Sequence, residues 1–149
     1  MCIFNIYASR MLLEDARVVS NFIFETLKGE LLTTSGDGSQ IRSFCYFDDL
    51  VEGMIRLMNG SHIGPLNIGN LGEFSIRQLA ELVGCHFNNE LTSIEKPWPV
   101  DYALQRKSII NLVQDQLGWR PTVSLEEGLE PTFFCFHSLL EKRINLFWQ

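Results

Sequence analysis

Apolar residues recur along the chain in short runs and at helical spacings. Residues 3–7 are almost all apolar, which predicts a strand buried on both faces of a parallel sheet. Residues 17–27 carry apolar side chains at helical spacing, and Gly29 follows where helices commonly stop in a left-handed conformation. The pattern therefore predicts a strand followed by a helix at the start of the chain.

The next part of the chain alternates short apolar segments with turn residues. Residues 31–34 and 40–46 predict two strands on either side of the turn at residues 36–38, an order that suggests a hairpin. Asp48 or Asp49 is expected to cap the helix that follows, because short polar side chains bond the free amides of a first turn. A brief strand is then predicted at residues 65–68.

Two capping-box patterns mark further helix starts. Ser75 and Gln78 form the first box, which predicts a helix that Gly84 closes. Ser124 and Glu127 form the second and predict a long helix with apolar residues on one face. Between these boxes the sequence predicts an irregular loop over 86–99, with a candidate strand at 91–94, and then a helix over 109–117 ended by Gly118.

Alternating helices and short strands are typical of the α/β class. The composition fits one globular domain, since 46% of the 149 residues are hydrophobic and 20% are charged. A net charge of −6 excludes the broad basic surface that nucleic acid or an anionic membrane would need. An anionic ligand must therefore be held by a few local arginines.

The four cysteines, Cys2, Cys45, Cys85 and Cys135, are far apart and form neither a CxxC pair nor a Cys/His cluster. No metal site is expected, and reduced thiols are the default. No apolar run approaches the length of a membrane span, and the first residues lack the features of a signal peptide. We therefore expect a cytoplasmic chain without a membrane segment.

A search for catalytic motifs is negative. The chain contains no GxSxG, no HExxH, no Gly-x-Gly-x-x-Gly and no Tyr-xxx-Lys pair. Gly36-Asp37-Gly38 precedes a predicted strand and opens no helix, which favours a turn over a phosphate loop. A self-contained dehydrogenase is excluded on these grounds.

Three arginines and one asparagine are the candidate ligand contacts. Arg17, Arg42 and Arg106 could line a cleft and clamp phosphate or carboxylate, or each could be a surface charge. Asn5 interrupts an apolar run, so it is either a buried amide bonded to backbone or a ligand contact at the end of a strand. The residues alone leave both alternatives open.

Several segments together resemble the UDP-glucuronate decarboxylase (UDP-xylose synthase) family of extended short-chain dehydrogenase/reductases. They are Cys2–Met11, Arg17–Phe22, Gly36–Phe44, Asp49–Met54, Gly64–Asn70 and Leu117–Pro121. Their order and spacing match the carboxy-terminal part of the family's enzyme. The resemblance implies one nucleotide-sugar-binding region over 1–149, the substrate half of a Rossmann-like fold with most of the parallel sheet and the upstream NAD-binding part absent.

The resemblance also implies a reaction. The family oxidises UDP-glucuronate at the sugar's 4-position with bound NAD, releases carbon dioxide, and returns the hydride to give UDP-xylose. The glycine-rich NAD loop and the Tyr-xxx-Lys pair precede the matching part. We therefore expect a truncated chain that binds UDP-sugar and is inactive alone.

Site residues follow from the matched positions. By resemblance Asn5 contacts the diphosphate, Arg17 lies near the cofactor, and Arg42 binds the phosphate or ribose region with Gln40 beside it. Arg106 would position the sugar or deliver a proton. The positions expected to line the nucleotide pocket are Val19, Ser20, Asn21 and Phe22.

The sequence departs from the family at several of these segments. Ala8-Ser9 replaces Gly-Pro, and Thr34-Ser35 replaces a Val-Tyr pair near the base-binding region. Ser108-Ile109 replaces Pro-Asp next to Arg106. These changes put the loop geometry around the ligand in question.

Rival interpretations stay open at this point. The chain could be a non-catalytic UDP-sugar-binding or interaction module, or a fragment of a related epimerase or 4,6-dehydratase. A homodimer, or association with full-length relatives, is a further expectation. Full-length relatives could be cytosolic or Golgi-anchored.

Overall fold

Short strands and longer helices alternate along the chain, which confirms the expected α/β class. The computed structural model describes residues 1–13, 15, 17–85, 93–96, 105–106 and 109–147. The strands are β1 (Cys2–Ile3), β2 (Ile6–Tyr7), β3 (Leu32–Ser35), β4 (Ile41–Arg42), β5 (Cys45–Tyr46), β6 (Asn67–Ile68), β7 (Phe74–Ser75), β8 (Ser93–Lys96) and β9 (Gln105–Arg106). The helices are α1 (Val18–Leu27), α2 (Phe47–Asn59), α3 (Ile76–Cys85), α4 (Asn111–Leu117) and α5 (Leu125–Phe147).

Parallel pairing dominates the strand contacts in the described part of the chain. β1 pairs with β6, β2 with β5 and β3 with β8, each in parallel. β4 lies between β7, which is antiparallel to it, and β9, which is parallel. Because parallel neighbours need crossover connections, the helices lie between the strands in sequence.

The apolar run at residues 3–7 forms two short strands instead of one. The Phe4 N–H still donates to the Ile68 carbonyl (3.3 Å), on the β6 side. The Asn5 carbonyl instead accepts from the Cys45 N–H (2.9 Å), on the β5 side. The backbone therefore changes its hydrogen-bonding partner at Asn5, which divides β1 from β2.

The hairpin suggested around residues 36–38 is wrong, although the turn itself forms. Strands β3 and β4 flank the turn but belong to different sheets. The start of α3 holds the exit of the turn, because the Arg77 N–H donates to the Gly38 carbonyl (3.0 Å) and the Ile76 N–H to the Gln40 carbonyl (3.0 Å). These long-range bonds replace the local strand pairing that the sequence suggested.

Both capping boxes are confirmed. The Gln78 N–H donates to Ser75 Oγ (3.0 Å), and the Ser75 N–H donates to Gln78 Oε1 (2.8 Å). At α5 the Glu127 N–H donates to Ser124 Oγ (3.2 Å), and the Ser124 N–H to Glu127 Oε2 (2.9 Å). These reciprocal bonds satisfy amides that a helix start otherwise leaves unpaired.

Two other predicted helix boundaries are wrong. Neither Asp48 nor Asp49 caps α2, whose N-cap residue is Tyr46 without a side-chain cap. Gly84 does not stop α3, which continues to Cys85 with Gly84 buried inside it. Packing outweighs the local signal in both cases. Gly29 and Gly118 do adopt the left-handed conformation predicted for helix stops, with φ of 69° and 58°.

Two apolar clusters form the core among the residues that the structure describes. The larger packs α1, α3 and α5 around Tyr7; its buried members include Val19, Phe22, Ile23, Phe44, Ile76, Leu79, Val83, Leu129 and Phe136. The smaller packs α2 and α4 around Trp119 and contains Leu50, Leu66, Ile68, Ile110 and Val113. The larger cluster fixes α1 and the start of α3 beside strands β3 and β4.

The loop predicted over 86–99 lies largely outside the described residues. β8 overlaps the candidate strand at 91–94, whose first two residues are also outside them. Among the helices that are described, none combines the length and apolar character needed to cross a bilayer.

Candidate functional site

A cavity of about 650 Å³ opens between the first strands, α1, β3 and the residues around β4. This volume lies within the range of small-molecule pockets. The described lining residues are Ile3, Asn5, Ile6, Arg17, Val18, Val19, Asn21, Phe22, Thr33, Thr34, Ser35, Gln40, Arg42, Phe44 and Ile76. Elements distant in sequence thus converge on one concave surface.

Asn5 and Arg17 lie on the side of the cavity formed by the first strands. Asn5 Nδ2 donates to the Ser43 carbonyl (3.1 Å), so its amide is bonded to backbone and also lines the cavity. Asn5 is exposed, so the prediction of a buried amide is wrong although the predicted backbone bond forms, and its contact with a ligand stays a prediction. Asn5 reaches Ser43 because the main chain changes its pairing from β6 to β5 at this residue.

Arg17 precedes α1 and is fixed by three contacts. Its Nη1 donates to the Ile6 carbonyl (3.2 Å), and its Nε lies 3.5 Å from Asp15 Oδ2. Its main-chain N–H donates to Asp15 Oδ1 (3.1 Å). The side chain is 56% exposed. A guanidinium has five N–H donors, so these contacts leave donors for a ligand at the cavity.

Gln40 and Arg42 also line the cavity and are both buried, with exposures of 1% and 6%. Arg42 Nη1 donates to the Ile41 carbonyl (2.7 Å), which fixes the guanidinium on the cavity wall. Gln40 Nε2 donates to the Ser35 carbonyl, while Gln40 Oε1 has no hydrogen-bond partner in the described part of the chain. Such an orphaned acceptor is uncommon in a folded protein.

The first turn of α1 supplies the floor of the cavity. Val18, Val19, Asn21 and Phe22 line it, whereas Ser20 is buried and does not. Arg17, the N-cap residue of α1, makes no side-chain cap. The free N–H groups and the positive dipole end of this helix therefore lie beside the cavity.

The described lining of the cavity carries positive charge although the chain is acidic, with Asp15 paired to one of its arginines and Glu25 bonded to Thr33 of its wall. Arg17 and Arg42 are the charged residues among its described lining, which includes no Asp or Glu. Adding the N-terminus of α1 makes this surface suited to an anion such as phosphate. The wall also has an apolar part, formed by Val19, Phe22 and Phe44.

Comparisons with known proteins agree with this geometry. A model of the NAD-dependent epimerase/dehydratase family matches residues 1–69. The chain is 50% identical over 129 residues to UDP-glucuronic acid decarboxylase 3 of Arabidopsis thaliana, covering 85% of this chain and 37% of that one. It is 42% identical over 143 residues to UDP-glucuronic acid decarboxylase 1 of Danio rerio, covering 96% and 34%.

Residues 1–69 therefore carry the sequence pattern of the NAD-dependent epimerase/dehydratase family. A solved member, UDP-glucuronic acid 4-epimerase of Bacillus cereus in complex with UDP-glucuronic acid and NAD, superposes with a TM-score of 0.85 at 26% identity. That match covers 92% of this chain and 44% of the epimerase. The chain spans about a third of the length of the decarboxylases it matches. The family's Rossmann-like fold, expected from the resemblance, is thereby confirmed.

Arg106 lies in β9. Its main chain pairs with that of Arg42 in parallel register. The strand pairing thus brings the main chain of Arg106 next to that of Arg42, although the two residues are distant in sequence.

Residues 33–35 also line the cavity, and the sequence analysis did not include them among the candidate ligand contacts. Thr33 donates to Glu25 of α1 through its N–H (2.9 Å) and its hydroxyl (2.6 Å), and Thr34 Oγ1 donates to the Gly36 carbonyl (3.1 Å). The sequence did contain one sign of their position, because Thr34-Ser35 replaces the family's Val-Tyr pair near the base-binding region. That replacement makes this part of the wall polar.

The family's NAD fits these residues only in part. Arg17, beside the cavity, is the position that the resemblance places near the cofactor, and the sequence contains no glycine-rich dinucleotide loop. The cavity's two arginines and polar wall suit a phosphorylated ligand. We therefore derive no redox step from this chain.

Proposed function

We propose that the chain forms the UDP-sugar-binding part of a UDP-glucuronate decarboxylase-type active site. One observation carries the proposal: Asn5, Arg17, Gln40 and Arg42, four positions matched to the family's substrate and cofactor contacts, line a single cavity. The identity of 46–50% to plant UDP-glucuronic acid decarboxylases supports this substrate class. The remaining matched positions on the wall are Val19, Asn21 and Phe22.

The diphosphate would lie against Arg42 and Asn5, while Arg17, the position matched to the cofactor, adds a second positive charge to the same cavity. A guanidinium remains charged at physiological pH and can hold two oxygens at once, which suits a diphosphate better than a point charge does. Arg42 is buried, so its attraction to an anion is less weakened by water than that of the exposed Arg17. The N-terminus of α1 adds free N–H groups on the same side.

Catalysis would use these residues for binding and orientation. When bound, NAD supplies the hydride acceptor for the oxidation that precedes decarboxylation. Arg106, beside Arg42 in the strand register, would position the glucuronate end or deliver a proton. For the 149 residues by themselves we propose UDP-sugar binding without turnover.

The identities favour a decarboxylase over an epimerase. Aligned epimerase structures share 25–29% identity with the chain, against 46–50% for the plant decarboxylases. A non-catalytic binding module is the second candidate, because these 149 residues contain no glycine-rich dinucleotide loop and no Tyr-xxx-Lys pair. Association with a second copy or a full-length relative, and a cytoplasmic location, remain predictions.

Calorimetric titration with UDP tests the binding proposal. Arg42→Met and Arg17→Met should each weaken UDP binding by about tenfold or more, since a hydrogen bond to a charged group contributes roughly 1.5–3 kcal/mol. Arg120→Met is the matched control, because Arg120 is exposed, lies outside the described cavity lining, and carries the same charge. Absence of UDP binding by the wild-type chain, or equal losses in all three variants, would contradict the proposal.

Turnover is tested separately. The chain is incubated with UDP-glucuronate and NAD, and UDP-xylose is followed by proton NMR. We expect none above the level of a protein-free sample. Appreciable UDP-xylose would show that the binding-only proposal is wrong.

A further inference from the structure

A single asparagine in the sequence precedes a glycine, at Asn59-Gly60. The main-chain nitrogen of a residue can attack the side-chain amide of a preceding asparagine, and glycine hinders this attack least because it has no Cβ. Asn59 is the last residue of α2, and Gly60 is its C-cap residue. The reactive dipeptide therefore lies where a helix passes into a loop.

The surroundings of Asn59 and Gly60 leave both residues accessible. Residues 58–61 are all exposed, and the Asn59 side chain makes no hydrogen bond within the described part of the chain. The Gly60 N–H donates to the Leu57 carbonyl at 3.3 Å, which is longer than most main-chain hydrogen bonds. Gly60 itself is extended, with φ of −85° and ψ of 167°. Because helix ends fray readily, the Gly60 nitrogen is available for reaction.

Asp37-Gly38 is the corresponding aspartate dipeptide, and its contacts protect it. Asp37 Oδ1 accepts from the Ser39 N–H (3.0 Å), and hydrogen bonds from the Ser39 side chain and main chain lower the pKa of this carboxyl. An ionised carboxylate is a poor target for a nucleophile. Gly38 is also buried, with its Cα side packed against Arg77. Asn59-Gly60 has neither of these restraints.

We propose that Asn59 is a site of spontaneous deamidation and isoaspartate formation. The Gly60 nitrogen loses its proton to water and bonds to Asn59 Cγ, while the Cγ–Nδ2 bond breaks and Nδ2 takes a proton from water and leaves as ammonia. Water then opens the resulting cyclic imide at either of its carbonyls. Cleavage of the bond between the Gly60 nitrogen and Cγ gives aspartate, and cleavage of its bond to the Asn59 main-chain carbonyl carbon gives isoaspartate.

The products alter the junction between α2 and α4. Both add a negative charge at the C-terminal end of α2, where the helix dipole disfavours it. Isoaspartate also adds a methylene to the main chain. A Cβ on Gly60 would lie 3.1 Å from the Arg56 carbonyl oxygen and 3.2 Å from Leu117 Cδ2, so the main chain has little room here. The modified chain should therefore be less stable than the unmodified one.

Peptide mapping by mass spectrometry of the chain aged in neutral buffer tests the proposal. Asn59 should deamidate about tenfold or more faster than Asn111, which is also exposed but precedes a leucine. Electron-transfer fragmentation distinguishes the aspartate and isoaspartate products. Asn59→Gln should abolish the modification at this position, since the longer side chain would have to close a larger ring. Asn111→Gln is the matched control and should leave the rate at Asn59 unchanged.

Two outcomes would overturn the proposal. One is a native chain in which Asn59 deamidates no faster than Asn111, and the other is a modified peptide that contains aspartate but no isoaspartate. The stability effect is measured by urea denaturation of Asn59→Asp, which should unfold at a lower urea concentration than Asn59→Gln. Equal midpoints would refute the effect on the junction of α2 and α4. These experiments use no ligand, so their results are independent of the proposed UDP-sugar binding.

Discussion

The main chains of Arg42 and Arg106 are register partners in the parallel strands β4 and β9. Neighbouring strands lie about 4.8 Å apart, so this pairing fixes the two backbones side by side. Arg42 lines the cavity, so its register partner belongs to the strand next to a lining residue. The role of Arg106 at the sugar end, which the resemblance implies, stays a prediction.

Arg106→Met is expected to weaken binding of UDP-glucuronate more than binding of UDP-glucose. The glucuronate carboxylate adds an anionic group at the sugar end, and a guanidinium there would bind it through a charge-assisted hydrogen bond. Competition titrations with the two nucleotide sugars measure the ratio of their affinities. Arg120→Met should leave this ratio unchanged, and an unchanged ratio in Arg106→Met would remove Arg106 from the sugar end.

The second capping box makes the stability of α5 dependent on pH. Hydrogen bonds from the Ser124 main chain, and then from its side chain, lower the pKa of Glu127 below its ordinary value. A carboxyl whose pKa is depressed by folding stabilises the protein above its unfolded pKa, and this contribution is lost as the pH falls through the folded pKa. Ser124→Ala should therefore raise the Glu127 pKa, measured by NMR titration of its side-chain carboxyl carbon.

Ser75→Ala is the matched control for that experiment. It removes the same type of cap at α3, but its partner Gln78 does not titrate. Both variants should lower the free energy of unfolding at pH 7. Below pH 5 the free energy of unfolding should fall less steeply with decreasing pH in Ser124→Ala than in the wild type, and Ser75→Ala should fall as the wild type does. Equal acid profiles for the two variants would contradict the assignment to Glu127.

Local features of this fold could be predicted and long-range features could not. The two capping boxes depend on residues three positions apart, so the sequence contains the whole interaction. The pairing of β3 with β8 joins segments separated by α2 and α3, and no turn specifies it. The hairpin prediction failed because it used only the local turn at residues 36–38.

In the candidate site, too, local features could be predicted from the sequence and long-range contacts could not. Arg17 and Arg42 could be selected from matched segments, whereas their convergence depends on strand pairings that no single segment encodes. The orphaned acceptor of Gln40 depends on its contact with Ser35 and became visible only in the folded chain. Asp49 was taken for a helix cap because its sequence context is that of a first turn, while its partners lie at residues 122–123.

Asp49→Asn is expected to destabilise the protein by about 2 kcal/mol, since it disrupts a buried carboxylate with several donors. Asp49 Oδ1 accepts from the Thr122 N–H (2.9 Å) and hydroxyl (2.8 Å), and Oδ2 accepts from the Val123 N–H (3.0 Å). An amide would place an NH₂ group against one of these donors. Urea denaturation measures the change.

Asp48→Asn is the control for this variant. Asp48 lies in the same first turn of α2 and is exposed, so its change should alter the free energy of unfolding by less than about 0.5 kcal/mol. Similar losses in the two variants would indicate a general charge effect at the start of α2 and would contradict a specific role for Asp49.

Gly128→Ala should destabilise the chain even though alanine favours helices. A Cβ at position 128 would overlap Tyr7 Oη and lie 2.8 Å from Tyr46 Cδ2. The Tyr7 ring cannot move aside freely, because it is buried and its hydroxyl donates to the carbonyls of Ser124 (3.1 Å) and Leu125 (3.3 Å). Overpacking of this kind destabilises by about 1–3 kcal/mol.

Combining Gly128→Ala with Tyr7→Phe tests whether the overlap with Tyr7 causes the loss of stability. Removing the oxygen relieves the closest overlap with the new Cβ, so the double variant should lose less stability than the two single variants added together. The contact with Tyr46 remains, and the relief should therefore be partial. Glu130→Ala, an exposed position of α5, reports the effect of alanine on the helix alone. Strict additivity of Gly128→Ala and Tyr7→Phe in urea denaturation would show that close packing of α5 on Tyr7 does not cause the loss.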